Sequence, residues 1–369
     1  MATTVLFIIF FNISLIPFSI IIYNFITIDR LNNTDKANDE KSLVSILIPA
    51  RNEENNIEKC LLSCIRQTYK NVEIIVLDDS SEDRTSEIVK RVIAKYSDKK
   101  IFLYESKSLP AGWKGKNWAC HNLSKHAKGD YLLFIDADVE LGINAVNSAL
   151  CLMSKDNIQM ITAFPTQIMK TFGEKIFVDL VINWTFLNLF PFRLTKSLKS
   201  EFLTPVIGQF ILVDKNIYLE SGGHEAAKDD VVEDRTLGIN IKRTGANILP
   251  ILGGNQLFCR MYTSTSEAYK GFQKNSFKGS QMNFIAYTIF IFTVPSLFYI
   301  PIFLAFVDKI FLIVVIMWLS GLVMKSLILK QNPLLIILFP LQIISIVPLG
   351  ISSMLKTRNH QNYWKGRQM

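Results

Sequence analysis

Short apolar runs alternate with amphipathic segments through much of the chain. The runs cover 43–48, 72–77, 101–104, 131–135, 160–164 and 209–213, and segments with helical spacing include 57–65, 116–127, 142–154 and 231–243. An unbroken apolar run predicts a strand that is buried on both faces of a parallel sheet. The alternation of such strands with helices predicts an α/β domain with a mainly parallel, Rossmann-like sheet.

Longer apolar stretches occur near both ends. They cover 4–28, 283–306, 310–329 and 333–355. Each is long enough to cross a bilayer. We interpret 4–28 as a retained anchor, because the run is too long for a signal peptide and no small-residue cleavage site follows it. Basic residues follow this anchor and none precede it, which predicts a multi-pass protein of the cell membrane whose domain after the anchor is cytoplasmic.

These transitions divide the chain. We predict an N-terminal transmembrane anchor at 1–28, a linker at 29–42, a globular domain at 43–280, a C-terminal transmembrane region at 281–355 and a basic tail at 356–369. Three C-terminal crossings would put the tail outside, whereas Lys356 and Arg358 favour the inside. Two alternatives stay open, namely three crossings, or two crossings with one re-entrant or interfacial segment. The last segment contains Pro340 and Pro348 and is the weakest crossing candidate.

The composition limits the choice of compartment and partner. The 369 residues carry a formal net charge of +8. The five cysteines show no metal-binding or disulfide-framework spacing, which fits a reducing compartment. The chain has no long basic run and no nucleic-acid motif, so the positive charge indicates a membrane surface or a phosphate-bearing ligand and not a nucleic acid.

Two acidic pairs follow apolar runs, and a third lies at the start of a predicted helix. They are Asp78 and Asp79, Asp136 and Asp138, and Glu233 and Asp234, and they are preceded in the chain by the loop 49–54. Carboxyl ends of parallel strands gather at one edge of a sheet, where ligands bind. An i, i+2 pair on an extended backbone points the same way, and two hard oxygen donors suit Mg²⁺ or Mn²⁺ with a diphosphate. The competing interpretation is a solvated turn at each strand end.

A glycine-rich loop precedes the helix predicted at 116–127. The stretch 112–118 reads Gly-Trp-Lys-Gly-Lys-Asn-Trp, and Lys116 opens the helix. A helix N-terminus favours anions, so Lys116 is a candidate contact for a diphosphate. The GxGxxG and Walker loops are absent, which argues against nucleotide binding of those two kinds.

Taken in order, these motifs resemble glycosyltransferase family 2 with the GT-A fold, over roughly residues 43–280. The resemblance implies that a nucleotide-sugar donor, of UDP type, contacts Pro49, Ala50, Arg51, Glu53, Asp78, Asp79 and Asp136. It also implies that Asp136 and Asp138 bind the metal with the diphosphate, that Asp234 is the general base, and that Glu233 assists it.

Shorter stretches resemble a membrane-bound branch of this family that is associated with carotenoid and hopanoid glycosylation. They are the loop 112–116, Arg260-Met261-Tyr262 with Gly271-Phe272, and 363–367 in the tail. The branch implies an apolar acceptor, for which Trp184, Gln273, Lys274 and Trp364 are the candidate contacts. The aromatic segment 172–192 is either a membrane-surface or acceptor-binding helix or an ordinary core helix.

The resemblance implies an inverting transfer of a hexose to a membrane lipid such as a carotenoid or another isoprenoid. One departure argues against a polymer-extruding synthase: the Gln-x-x-Arg-Trp motif of processive polysaccharide synthases is replaced by Gln273-Lys274-Asn275-Ser276-Phe277. Two alternatives remain, transfer to a polyprenyl phosphate and a non-catalytic membrane subunit that binds a nucleotide sugar.

Overall fold

A computed structural model describes residues 2–32, 41–106, 108–201, 203–280, 282–359, 363–364 and 367–368. For residues 2, 184, 275, 363–364 and 367–368 it describes the backbone alone. Most of the predicted linker, at 33–40, and part of the basic tail therefore lie outside the described residues.

The strands are β1 Val44–Ala50, β2 Val72–Asp78, β3 Ile101–Glu105, β4 Tyr131–Ile135, β5 Val139–Leu141, β6 Met160–Phe164, β7 Thr166–Gln167, β8 Phe210–Asp214, β9 Ile248–Leu252, β10 Leu257–Cys259, β11 Tyr363–Trp364 and β12 Arg367–Gln368. The α-helices are α1 Ala2–Thr27, α2 Ile57–Ile65, α3 Thr85–Lys95, α4 Gly115–His126, α5 Ala145–Asp156, α6 Phe172–Val178, α7 Phe186–Leu189, α8 Lys215–Glu220, α9 Glu233–Arg243, α10 Thr265–Ser280, α11 Phe284–Leu304, α12 Leu312–Leu329 and α13 Phe339–Arg358. The chain divides into two compact units, which we describe separately.

The first, here called the sheet unit, comprises Asp29–Ile168 and Phe192–Met261. Among the described residues its main sheet has seven strands in the order β3-β2-β1-β4-β8-β6-β9. The pairs β1–β2, β1–β4, β2–β3 and β6–β9 are parallel, whereas β8 runs antiparallel to both of its neighbours. The prediction of a mainly parallel α/β sheet is confirmed.

Apolar side chains from both faces of this sheet are buried, as the unbroken runs predict. Within β1, Ile46 and Ile48 pack into one core with α2, α3 and α5, and Leu47 packs into a second core with α4 and α9. The alternation follows from the two-residue period of a strand. The helices on both faces exclude water from the sheet, so polar groups gather at the strand ends.

The second, here called the helical unit, comprises Met1–Ile28, Met169–Pro191 and Tyr262–Met369. Within the described part of the chain, four helical segments are long and apolar enough to cross a membrane: Thr3–Thr27, Phe284–Leu304, Lys309–Leu329 and Pro333–Arg358. They correspond to the four stretches predicted from hydropathy.

Residues 172–191 of the aromatic segment 172–192 belong to the helical unit, and Phe192 belongs to the sheet unit. The side chain of Thr171 caps α6 in a reciprocal capping box with Glu174. After α6 the helix widens to a π-helix at Asp179–Thr185 and then continues as α7. Asp179, at the start of the π-helix, is fully buried.

Candidate active site

Three chain segments meet at the carboxyl end of β4 in the sheet unit. Asp136 follows β4 directly, Lys116 lies in the first turn of α4, and Glu233 and Asp234 open α9. These side chains line one cleft, together with Pro49, Cys120, Phe134, Ile135, Gly208, Ile211 and His224. Residues far apart in the sequence therefore form a single charged site.

Lys116 is the centre of this charged cluster. Its Nζ lies 2.8 Å from Oδ1 of Asp136 and 3.0 Å from Oε1 of Glu233. Burial opposes the charged form of Lys116, but the two carboxylates outweigh burial and raise its pKa well above the ordinary value. The ammonium is therefore charged at neutral pH and holds α4 and α9 to the end of β4.

Asp234 is held by two backbone amides. Gly208 donates to Oδ2 over 2.8 Å, and Arg235 donates to Oδ1 over 2.8 Å. Burial and the charge of Glu233 nevertheless raise the pKa of Asp234 to about 7. A carboxylate whose pKa lies near neutral pH is suited to accept a proton during a reaction.

Glu233 differs from its neighbour Asp234. Burial opposes its ionisation, but the charge of Lys116 and its hydrogen bond outweigh burial and lower the pKa of Glu233. Adjacent carboxyl groups whose environments push their pKa values apart are typical of a division of roles. Glu233 is the permanently charged partner, and Asp234 is the group that can titrate.

His224 forms one wall of the cleft. Its Nδ1 lies 2.9 Å from the hydroxyl of Tyr218, which also accepts a hydrogen bond from the His224 amide over 3.1 Å. Burial lowers the pKa of His224 to about 3, so the ring is neutral at physiological pH. Sequence reasoning missed His224, because a single histidine in a loop carries no spacing signal.

The predicted nucleoside contacts lie at the ends of β1 and β2 and on the loops that follow, and the two regions bind each other. The Arg51 guanidinium donates to the carbonyl of Asp79 over 2.6 Å and to that of Ser80 over 2.8 Å. Asp78 accepts hydrogen bonds from the amide and the hydroxyl of Ser81. Ala50 is buried and its carbonyl accepts a hydrogen bond from the Asp79 amide over 2.8 Å. These four predicted residues form one structural unit but do not line the cleft around Lys116.

Asp138 and Glu53 lie on another side of the β4 end. The thiol of Cys259 is hydrogen-bonded to Asp138, and Gln209 Nε2 donates to Cys259 Sγ over 2.9 Å. Burial, with the charges of Asp138, Asp136 and Glu53, raises the pKa of Cys259 well above the ordinary value. The charge of Asp136 therefore acts both on Lys116 and on the Cys259 thiol beside Asp138.

The candidate acceptor contacts belong to the helical unit. Gln273 and Lys274 lie in α10, where the Gln273 side chain is buried. Trp184 lies in the π-helix and Trp364 in β11, and the structure describes only the backbone at both positions. Their role as acceptor contacts stays a prediction.

The strand order and the acidic cluster at the strand ends define a GT-A fold. The chain superposes on the mannosyltransferase PcManGT from Pyrobaculum calidifontis, solved in complex with GDP-Man and Mn²⁺, with a TM-score of 0.59 and 13% sequence identity. The superposition covers 97% of this chain and 98% of PcManGT. At this identity the likeness shows the fold alone.

Residues 45–220 match the family model described as Glycosyl transferase family 2, so the chain carries a domain of that family. The chain is 30% identical over 223 residues to 4,4'-diaponeurosporenoate glycosyltransferase of Staphylococcus haemolyticus, covering 59% of this chain and 56% of that protein. It is 30% identical over 181 residues to an uncharacterized glycosyltransferase of Haemophilus influenzae, covering 48% of this chain and 63% of that protein. The resemblance to family 2 is confirmed, and the chain spans between half and two thirds of the length of these curated relatives.

Proposed function

We propose that this chain is a membrane-bound inverting glycosyltransferase that moves a hexose from a UDP-type donor to a membrane lipid. The observation that carries the proposal is the cluster of Lys116, Asp136, Glu233 and Asp234 in one cleft at the end of β4. It combines a fixed cation for a diphosphate with a carboxylate that titrates near neutral pH.

In this proposal Asp234 is the general base. The two amides from Gly208 and Arg235 hold its oxygens in place, so the carboxylate needs little reorganisation to accept a proton. Asp234 takes the proton of an acceptor hydroxyl as that oxygen attacks the sugar C1 from the face opposite the diphosphate, which inverts the configuration. If the acceptor is a carboxylate, no proton is removed and Asp234 contributes less.

Lys116 and Asp136 face the leaving diphosphate. An incoming diphosphate competes with the two carboxylates for the Lys116 ammonium, whose position in the first turn of α4 adds the positive end of the helix dipole. The nucleoside is held at the ends of β1 and β2 and on the loops that follow, by Pro49, Ala50, Arg51, Glu53, Asp78 and Asp79.

Asp136 and Asp138 are the proposed ligands of Mg²⁺ or Mn²⁺. No cluster of three or more His, Cys, Asp or Glu side chains that could hold a metal ion occurs among the described residues. Asp136 is paired with Lys116 and Asp138 with Cys259, so the two carboxylates would hold such an ion only together with other ligands. Mg²⁺ in phosphate-transfer sites takes one or two carboxylates and completes its shell with phosphate oxygens and water. When bound, the ion neutralises charge on the leaving diphosphate.

Two observations favour an apolar acceptor that is reached from the bilayer, and a third favours a side of the membrane for the sheet unit. The Staphylococcus relatives are named for a carotenoid acid acceptor. The described chain contains four apolar segments of spanning length. Arg30 and Lys41 follow α1 in the chain, and this favours a cytoplasmic sheet unit in a multi-pass protein of the cell membrane. We therefore propose a carotenoid or another isoprenoid as the acceptor.

Transfer to a polyprenyl phosphate is the second candidate, since it needs the same donor site and no base. The test is incubation of the purified full chain with labelled UDP-glucose or GDP-mannose and membrane lipids. An acid-stable lipid glycoside supports the proposal, and a mild-acid-labile product favours the phosphodiester. If the protein binds the donor but neither transfers nor hydrolyses it when Mg²⁺ or Mn²⁺ is present, the chain is a non-catalytic subunit.

The matched variants are Asp234→Asn and Asp98→Asn, the second in an exposed turn. With a hydroxyl acceptor, Asp234→Asn lowers kcat by about 10²–10⁴-fold with donor affinity unchanged. Asp98→Asn changes neither. Equal activity of the two variants on a hydroxyl acceptor would exclude Asp234 as the base.

A further inference from the structure

The directions of the helices in the helical unit follow from their side-chain contacts. Thr288 of α11 lies 3.8 Å from the sulfur of Met354 in α13, and the Tyr299 hydroxyl donates to the Pro340 carbonyl over 2.7 Å. From the first of these contacts to the second, the residue number rises in α11 and falls in α13. These two helices are therefore antiparallel.

α12 is also antiparallel to α11. The two helices are joined by the short connection 305–311 and pack through Phe298 and Trp318, whose ring centroids lie 6.3 Å apart. Phe298 also packs against Phe339 of α13, with centroids 5.0 Å apart. Because both are antiparallel to α11, α12 and α13 run in the same direction, although they are consecutive in the chain.

Two consecutive parallel helices require the chain to return between them. Trp318 and Phe339 both contact Phe298 and so lie at the same level, whereas α12 continues from Trp318 to Leu329. This part of α12 is roughly 16 Å long at the helical rise per residue. The connection 330–338 spans at most roughly 30 Å when fully extended. This is enough for the return along α12 but too short for a loop that first extends well away from the helices.

From this geometry we propose that residues 330–358 form a re-entrant segment that enters and leaves the bilayer on the same side. α1, α11 and α12 cross the membrane. The connection 330–338 climbs back along α12, and α13 descends to the face at which α12 ended. α11 and α12 cross in opposite directions, so the chain after α12 is on the same side of the membrane as the end of α1. The segment 330–358 makes no net crossing, and the tail after Arg358 therefore lies on that side too.

The polarity of the connection fits this path. Lys330, Gln331 and Asn332 form a polar turn at the end of α12, and the next stretch, Pro333–Leu338, is entirely apolar. This stretch is a 3₁₀ helix, and the Asn332 side chain caps it by accepting from the Leu334 amide. Irregular backbone at membrane depth requires such internal hydrogen bonds, because hydrocarbon supplies none.

The basic residues separate in the same way. Lys330, Lys356 and Arg358 lie at the face where the re-entrant segment begins and ends. The opposite face, at 305–309, carries Lys309 beside Asp308. Basic residues favour the cytoplasmic side, so the re-entrant path removes the conflict between three C-terminal crossings and a basic tail.

A buried polar network fixes the first turn of α13 at depth. Lys325 Nζ of α12 lies 2.5 Å from Asp179 Oδ2, and Gln342 Nε2 of α13 donates to the same oxygen over 3.0 Å. Gln342 also donates to the Lys175 carbonyl over 2.8 Å. Charged groups at membrane depth are stable only when paired, so this network ties α13 to α12 and to the segment 172–191.

The test is the side from which single cysteines react in the full-length protein in its native membrane. The background is Cys151→Ser, because the other thiols, Cys60, Cys64, Cys120 and Cys259, are buried. Lys41→Cys, Val307→Cys and Asn359→Cys are each treated with a membrane-impermeant maleimide in intact cells and in inverted vesicles. Asn359→Cys should react from the same side as Lys41→Cys, and Val307→Cys, 78% exposed, from the other. Reaction of Asn359→Cys together with Val307→Cys would mean that α13 crosses and would overturn the proposal.

A fourth variant tests the depth of the connection. Ile337 is 72% exposed in the structure, so in the proposed path it faces lipid. Ile337→Cys should react at least about tenfold more slowly than Asn359→Cys in membranes, and at a comparable rate once the protein is unfolded in sodium dodecyl sulfate. Equally fast reaction in membranes would place 330–338 at the surface and would also overturn the proposal. Gel filtration in detergent checks that each variant is folded.

Discussion

The ammonium of Lys116 lies 3.0 Å from a carboxylate oxygen of Glu233. This contact joins the N-terminus of α4 to the N-terminus of α9 and leaves the neighbouring Asp234 beside a negative charge. The balance between the two charges sets the protonation of Asp234, because Glu233 raises the pKa of Asp234 and Lys116 lowers it. Changes at the two positions should therefore act in opposite directions.

Glu233→Gln should shift the acidic limb of the pH profile of kcat/KM to lower pH. Removal of the negative charge lowers the pKa of Asp234, which is about 7 in the native protein, and the base is then ionised at lower pH. Lys116→Gln should shift the limb to higher pH, because it removes the cation. The residual activity of each purified variant is measured from pH 5 to 9, with Asp98→Asn as the control. Shifts of equal sign would contradict the assignment of the limb to Asp234.

The pH dependence of stability gives a readout that does not need activity. Asp234 has a pKa of about 7 when folded and an ordinary value of 3.8 when unfolded. Between these two values the folded state holds a proton that the unfolded state has lost, so the free energy of unfolding falls as pH rises. Thermal unfolding in detergent should show the wild type losing stability from pH 4 to 7 relative to Asp234→Asn. Parallel curves for the two proteins would mean that Asp234 is not perturbed.

Gly238→Ala should destabilise the protein by about 1–3 kcal/mol through overpacking. A methyl group at Gly238, in α9, would clash with a methyl group of Val206, which is buried. The chemical denaturation midpoint of the variant measures the cost. Combining the change with Val206→Ala removes the clash, so the double variant should be more stable than the sum of the two single effects. Simple additivity would count against this contact.

Lys325→Met should destabilise the helical unit by about 3–5 kcal/mol. The Lys325 and Asp179 side chains are 1% and 0% exposed, and the change leaves the Asp179 carboxylate buried without its cation. Thermal unfolding in detergent is the measurement, and Lys330→Met at the exposed end of the same helix is the matched control. Adding Asp179→Asn should recover part of the loss, because the amide is uncharged and its oxygen can still accept a hydrogen bond from Asn183 or Gln342. A double variant as unstable as Lys325→Met would exclude the buried charge as the cause.

Most of the fold was predictable because its strands are buried on both faces. The strand β6 at Met160–Phe164 has the predicted bounds, and β2 and β4 end within a residue or so of the predicted positions. The strand β9 was not predicted, since Pro250 interrupts its apolar run. The proline is tolerated because β9 is an edge strand of the sheet, where one side needs no hydrogen-bond donor.

The site was predictable in its carboxylates but not in its backbone groups. Asp136, Glu233 and Asp234 follow from acidic positions at strand and helix ends. The amide of Gly208 supplies a hydrogen bond to Asp234, and no residue pattern encodes that contact. The sequence also grouped Asp138 with Asp136, whereas the two side chains contact different neighbours, Cys259 and Lys116.

The reversed strand β8 has a consequence for how this site can change. Ile135, the last residue of β4, pairs with Phe210, the first residue of β8, so the chain enters one strand where it leaves the other. Gly208 therefore stands beside Asp136 and Asp234 without belonging to any of the parallel strand ends that carry the carboxylates. Insertions or exchanges in the approach to β8 can retune the proton affinity of Asp234 while the carboxylates and their strands stay as they are. The segment that leads into β8 and contains Gly208 is therefore the place to mutate when a different acceptor chemistry is sought by directed evolution.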